Sequence, residues 1–336
     1  MGTRNLELNT AKANKQDEFY TCYEDIKEEL KNYDLTGKVV YCNCDNPNIS
    51  NFCRFFVCNF NQLQLKRLMC TAYNPLSFAG RELTFFDLDM EGSENEFGYL
   101  LDISTSEVDE SNTDVEISNF ISSHTTSLKG NGDFRSLECV EFLKMADIVV
   151  TNPPFSLFRQ HIAQIMKYEK KFLVIGNVNA ITYADLFPLI MENKVWLGAS
   201  IHSGDRKFYV PEDYPLDASG CGIDEQGKRF IRVKGVRWFT NMDYAQRYED
   251  LKLEKSYSPE YKKYSNYDAI NVDKVSDIPN DYTGIIGVPI TFLDKFNPNQ
   301  FEIVGMLDQN FTEDGATRGK VGGECLYARI LIRKRQ

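Results

Sequence analysis

Asn152, Pro153, Pro154 and Phe155 stand in a row directly after a short β-branched run, Ile148 to Thr151. These residue types suit one kind of chemistry, in which the exocyclic amino group of a base is held for attack on an electrophilic methyl group. The Asn152 carboxamide oxygen accepts from one N–H. The Pro153 carbonyl accepts from the other, because the proline ring leaves the carbonyl untouched. Two acceptors on one NH2 draw its lone pair out of conjugation and aim it. Phe155 offers a flat face on which the base stacks. No ionisable base is required, since the amine attacks a methylsulfonium directly and loses its proton afterwards. The structural alternative is a Pro-Pro turn after a core strand, with Phe155 merely packing; the strand before and the helix after weigh against it.

The elements around this motif must place it in a crevice. Ile148–Thr151 reads as a buried strand. Proline has no N–H and restricts the residue before it, so the chain leaves the sheet in a defined turn. Ser156 then precedes an apolar pattern at helical spacing (Phe158, Ile162, Ile165, Met166) and is the expected N-cap. Strand, stiff turn and helix put Asn152 and Phe155 at the carboxyl end of a strand, where α/β sheets bind ligands. A second strand–turn–helix runs from Lys38 to Phe56, with Ser50 as the helix cap. Asn43, Asp45 and Asn46 occupy its turn in place of the usual glycines, as residues that tolerate turn conformations. Leu65 to Tyr73 is the next strand, and no acid follows it before Glu82. Gly130 to Ser136 is a turn before a helix. Asp133 beside Phe134 there suits holding and stacking on an adenine, or simply opening the helix. Phe19, Tyr23, Ile26, Leu30 and Tyr33 form one helical stripe. Phe19-Tyr20-Thr21 either packs in the core or closes over a cofactor.

The net charge of −11 argues against nucleic acid only at first sight. Residues 87–116 carry eleven Asp and Glu and no Lys or Arg, so the rest of the chain is neutral overall. The segment 87–120 reads as a solvated acidic insertion or mobile loop, and a basic face elsewhere can still bind phosphate. Lys228, Arg232 and Lys234 point one way on an alternating run to Trp238, while Ile231 and Val233 point the other. That run is either a strand laid against phosphates or a solvated edge strand. Lys171 to Gly176 is a buried strand ending in the amides Asn177 and Asn179. The length of 336 residues fits one large domain with an insertion, or two domains. No apolar run reaches membrane-span length, and the polar N-terminus shows no signal peptide. The nine scattered cysteines indicate reduced thiols and a cytoplasmic protein. Cys42 and Cys44 are too close together and too alone to suggest zinc, so no metal is expected.

Taken in order, DEFYT (17–21), VVYCNCDNP (39–47), GDFRS (132–136), ADIVVTNPPFSLF (146–158), NVNAITY (177–183), WLG (196–198), NYDAIN (266–271) and GVPITFLDKFNP (287–298) resemble the EcoRI-type adenine-specific DNA methyltransferases. The resemblance implies an α/β, Rossmann-like, seven-stranded S-adenosylmethionine-dependent methyltransferase fold with an inserted or appended DNA-recognition region. It implies a free-standing, site-specific enzyme that methylates N6 of an adenine flipped from double-stranded DNA, at GAATTC or a related site. Asn152, Pro153, Pro154 and Phe155 would be catalytic. Phe19, Tyr20, Thr21, Asn43, Asp45, Asp133 and Phe134 would hold S-adenosyl-L-methionine. Asn177, Asn179, Lys228, Arg232 and Lys234 would face DNA. The expected organisation is a cofactor and catalytic domain over 1–200, a target-recognition region over 201–282, and C-terminal strands over 283–336 completing the catalytic sheet. A monomer with a separate cognate restriction endonuclease is expected. The alternative is an N-methyltransferase acting on RNA or on a protein amide.

Overall fold

The computed structural model describes residues 20–74, 97–202, 204–210, 214, 216, 220–308 and 318–335. Phe19 and the acidic run 87–96 lie outside them. The chain divides into two compact units, Met1–Asn177 with Ser203–Met242, and Val178–His202 with Asp243–Gln336.

The first unit opens with β1 (Tyr20–Thr21) and α1 (Tyr23–Leu30), whose Ile26 and Leu30 are buried. Then come β2 (Val39–Cys42), α2 (Asn51–Cys58), β3 (Arg67–Ala72) and β4 (Tyr99–Ile103). They are followed by α3 (Asp114–His124), β5 (Thr125–Ser127), α4 (Leu137–Met145), β6 (Ile148–Thr151), α5 (Phe158–Lys167) and β7 (Lys171–Asn177). The strand β8 (Trp196–Leu197) belongs to the second unit. The first resumes with β9 (Asp205–Tyr209), β10 (Gly222–Ile223), β11 (Arg229–Lys234) and β12 (Val236–Thr240).

Its large sheet runs β5-β4-β3-β2-β6-β7-β12. The central strands β3, β2, β6 and β7 are parallel, while β4, β5 and β12 join antiparallel. The parallel strands are near-continuous apolar runs because helices cover both their faces. Val40, Tyr41, Val149, Val150, Leu173 and Val174 are fully buried. Each such aliphatic side chain contributes about 1.5–3 kcal/mol of burial. A second sheet, β1-β9-β11-β10, is antiparallel throughout.

Several expectations need correction. Residues 97–120 are not a solvated loop: β4 pairs with β3, and α3 buries Ile117 and Ile121. A reciprocal capping box between Thr113 and Glu116 starts α3. The acids hid this order, yet they are partnered, Asp102 with Arg67 and Glu110 with Lys27. The run 228–238 is not one strand. Gly235, at φ +73°, turns the chain from half-buried β11 into the fully buried β12 of the other sheet. Ser156 is not a helix cap. It lies in a 3-10 turn over Phe155–Leu157, and α5 starts at Phe158.

The second unit contains α6 (Phe187–Met191), β13 (Ile270–Asn271), β14 (Ile286–Pro289), β15 (Phe301–Leu307), β16 (Lys320–Val321), β17 (Glu324–Cys325) and β18 (Arg329–Lys334). Its main sheet runs β13-β14-β18-β15 around buried Ile286, Val288, Phe301, Ile330 and Ile332. The C-terminal strands therefore build a sheet of their own and do not complete the large one. The span 201–282 is likewise divided: residues 203–242 fold with the first unit and 243–282 with the second.

Candidate active site

A cavity of ≈ 260 Å³ opens in the first unit at the carboxyl ends of β2, β3 and β6. It is lined by the turn after β2 (Asn43 to Asn46), by Tyr73 after β3, by Gly132 to Arg135, and by Asn152, Pro154 and Leu157. Tyr20 of β1 and Ser50 complete it. The turns that the sequence marked as strand–turn–helix junctions are thus brought to one place, because parallel strands present all their carboxyl ends on one side.

Asn43 is buried, and its Oδ1 faces Nε2 of His161 on α5 at 2.8 Å. Burial alone holds the His161 ring neutral, pushing its pKa down to about 3. With Oδ1 as the facing atom, Nε2 carries the ring proton and donates it to Asn43. The Asn43 amide nitrogen then has no hydrogen-bond partner among the described residues. A buried N–H2 without a partner in a cavity wall is a donor waiting for a ligand acceptor.

Asp45 is 6% exposed. Its Oδ1 accepts from Ser50 Oγ at 2.7 Å, and its Oδ2 from Thr151 Oγ1. The Asn152 backbone N–H also donates to the carboxylate. Burial outweighs these bonds and raises the carboxyl pKa to about 6. Ser50 is the N-cap of α2, as its spacing indicated, accepting from Phe52 N at 3.0 Å.

Asp133 lines the cavity with its carboxylate gripped by Arg135, Nη2 to Oδ2 at 2.6 Å. Burial pushes this carboxyl up, but the Arg135 side chain and backbone bonds prevail and hold it below its usual value. Phe134 is buried edge-on to His161, with ring centroids 5.1 Å apart. Gly132 is required: at φ +78°, a Cβ there would come within 2.0 Å of the Ala72 carbonyl oxygen. Ser136, two residues after the turn's Phe134, caps α4. The turn is therefore both a helix opening and a cavity wall.

Asn152 and Pro154 line the cavity, whereas Pro153 and Phe155 do not. Phe155 is 9% exposed and starts the 3-10 turn. Thr21 is buried and its carbonyl accepts from Asn51 Nδ2 at 2.7 Å, which ties β1 to the start of α2. Sequence reasoning missed Tyr73, 48% exposed at the carboxyl end of β3, where an acid was sought. Its position directly after the strand was the available signal.

On the second sheet, Arg232 and Lys234 point outward from β11 and Ile231 is buried, so the alternation holds. Lys228 is exposed just before β11, its Nζ 5.5 Å from the Tyr209 ring centroid. Cross-strand register adds Lys207 opposite Arg232, and Tyr209 opposite both Phe230 and Tyr20. These neighbours come from a strand that composition did not single out. Asn177 ends β7, its Nδ2 donating to the Lys234 carbonyl at 3.3 Å. Asn179 is exposed in the second unit. Among the described residues no helix is long and apolar enough to cross a membrane.

Known proteins resemble this chain along nearly its whole length. The model of the family described as adenine-specific methyltransferase EcoRI matches residues 7–335. The type II methyltransferase M.EcoRI of Escherichia coli is 45% identical, over 99% of this chain and 97% of its own. M.MpnI of Mycoplasma pneumoniae is 35% identical over 98% of each chain. M.MgeORF184P of Mycoplasma genitalium is 35% identical over 98% of this chain and 99% of its own. No solved structure matches the chain. A crevice at parallel strand ends, walled in part by Asn152 and Pro154, in a sequence matched over residues 7–335, leaves one assignment: the chain belongs to the EcoRI family of adenine-specific methyltransferases.

Proposed function

We propose that this adenine-specific DNA methyltransferase binds S-adenosylmethionine in the cavity and methylates N6 of an adenine extruded from duplex DNA, at GAATTC or a related site. The observation that carries the reading is that Asn152 and Pro154 wall the same cavity as Asn43 to Asn46. The cavity residues fit the cofactor: the Asn43 amide offers an unmatched donor, Phe134 and Tyr73 offer rings, and Gly132 lets the cavity-lining turn pack against Ala72. S-adenosylmethionine supplies a methyl group on a positively charged sulfur. Asn43, Asp133, Phe134, Tyr20 and Thr21 would hold it.

What remains for the protein is to position the amino group. The Asn152 side chain and the Pro153 carbonyl bond its hydrogens and turn its lone pair toward the cavity, and the proton leaves to water afterwards. Extruding the base costs a few kcal/mol, recovered by these bonds and by stacking on Phe155. Lys228, Arg232 and Lys234 contact phosphates, and Asn177 and Asn179 also contribute to DNA binding. The large sheet serves as the Rossmann-like, seven-stranded methyltransferase sheet, and residues 201–282 contribute to target recognition. The enzyme acts as a monomer, alongside a separate endonuclease of the same specificity.

Expression in a host lacking adenine methylation, with the plasmid sequenced for N6-methyladenine, tests activity and site together. Modification at every copy of one short sequence is expected. Unmodified DNA, with methyl incorporated into RNA or protein instead, would overturn the reading.

A further inference from the structure

The β2–β6 ladder stops at Tyr41 opposite Val149. Past that point Val150 and Thr151 keep register with β7, opposite Leu173 and Val174, and Asn152 comes next. Pro153 and Pro154 follow, and neither has an N–H to anchor the turn. The Asn152 N–H is therefore the last backbone donor before the two prolines. Its acceptor is the Asp45 side chain. The same carboxylate takes the hydroxyl of Thr151, the final residue of β6, and the hydroxyl of Ser50, the cap of α2. Asp45's own N–H is fixed to the Thr71 carbonyl on β3 at 3.0 Å. Asp45 thus joins β3 through its backbone, and α2 and the end of β6 through its buried carboxylate, past the point where the β2–β6 register ends.

We infer that Asp45 is a positioning residue: its carboxylate clamps the Asn152 turn to the cofactor turn and so holds the Asn152 side chain at the angle that transfer requires. The inference rests on the proposed adenine methylation and assigns Asp45 a role different from cofactor contact. Three donors aimed at one carboxylate favour its ionised form, since a protonated carboxyl turns one oxygen into a donor and one hydroxyl would have to reverse its bond. Burial disfavours that form and lifts the carboxyl pKa to about 6. The titratable groups facing it are thiols: Cys42 and Cys44 on its own segment, Cys53 on α2 and Cys70 on β3. Burial raises all four, so none ionises in the same range. His161 on α5, bonded to neighbouring Asn43, stays neutral there. The clamp should therefore release as pH falls through about 6.

The test combines calorimetric binding of S-adenosylmethionine with single-turnover transfer from the methyl-labelled cofactor to a duplex carrying the sequenced site, from pH 5 to 8. In the parent enzyme, transfer should decline below about pH 6. Asp45→Asn should lower transfer at pH 8 at least tenfold, flatten that acid limb and leave cofactor affinity within about threefold. Thr151→Val removes a single donor without changing shape and touches no cavity wall. It should slow transfer severalfold with affinity unchanged, and it keeps the test alive should Asp45→Asn misfold. Loss of cofactor affinity with transfer intact at saturation would make Asp45 a cofactor contact and overturn the inference. Parental transfer and acid limb in Thr151→Val would overturn it as well. A parent enzyme that methylates no adenine would instead sink the proposed function itself.

Discussion

Around the cavity, Asn43, Asp45 and Thr151 are buried and bonded to one another's segments. On β11 and its approach, Lys228, Arg232 and Lys234 are exposed, and among the described residues Arg232 meets the carboxylate of Asp205 at 4.0 Å. Both regions belong to the first unit and both are polar, yet they are organised on different physical grounds. A group that stabilises developing charge gains most when its orientation is fixed before the substrate arrives. A phosphate contact gains through counterion release and tolerates water and side-chain motion. The cavity is accordingly knit by buried bonds between distant segments, while the basic face is a row of charges on a short antiparallel sheet.

The sharpest way to break this comparison is Asn152→Ala. Positive charge builds on the adenine amino nitrogen as it attacks, so the Asn152 oxygen bonds most strongly in the transition state. By analogy with removing one preorganised polar group, turnover should fall about a hundredfold or more. DNA affinity should change far less. A base-extrusion signal from 2-aminopurine at the target position should largely persist. Parental turnover in this variant would leave the cavity without its chemistry.

Asn152 was legible because proline, asparagine and an aromatic after a strand carry their geometry in their residue types. The parallel core was legible for a similar reason, since the strands read from Lys38, over Leu65–Tyr73, over Ile148–Thr151 and from Lys171 needed no tertiary information and overlap β2, β3, β6 and β7. Asp45 was placed at the right turn, but an acid in a turn carries no sign of which way its side chain faces. Thr151, far along the chain, settles that. His161 was not singled out from the sequence, and its contact with Asn43 is what gives it a role. The acidic stretch misled because charge dominated its composition. The apolar residues of β4 and of α3 were few and spaced at two different periods. The split at Gly235 was missed because alternation continues on both sides of it, and only the positive φ redirects the chain.

A smaller effect separates binding from transfer within the cavity. Asp133→Ala removes a cavity carboxylate and leaves Arg135 without its partner. A charge-assisted hydrogen bond contributes roughly 1.5–3 kcal/mol. Cofactor affinity should weaken accordingly, by roughly ten- to a hundredfold, while transfer at saturating cofactor stays within a few-fold of the parent. Unchanged affinity by calorimetry would remove Asp133 from the cofactor site and assign its carboxylate to the Arg135 pair and the opening of α4. Because the Asp133 carboxyl is held below its usual value, its contribution should persist through the pH range in which Asp45 loses its charge. The two acids of one cavity would then differ in their pH response.

The smallest effects belong to single charges on the basic face, and there salt dependence rather than magnitude decides the matter. Lys228→Ala, Arg232→Ala and Lys234→Ala should each weaken duplex binding modestly at physiological salt. Each lost phosphate contact should reduce the slope of log affinity against log salt by about one. The three losses should add, because solvent-exposed cations on flexible stems share no buried partner. Transfer from the bound complex should remain parental, since none of these side chains reaches the cavity wall. Lys207→Ala gives the finer contrast. Its Nζ bonds Asp224 at 3.0 Å and lies 4.6 Å from both the Tyr209 and Phe230 ring centroids. A cation already paired and seated on rings has less charge to offer a phosphate, so its slope change should be smaller than that of Arg232 on the opposite strand. Equal slopes for Lys207 and Arg232 would mean that the Asp224 pair opens when DNA binds. An unchanged slope in the triple variant would move the phosphate contacts off this sheet altogether.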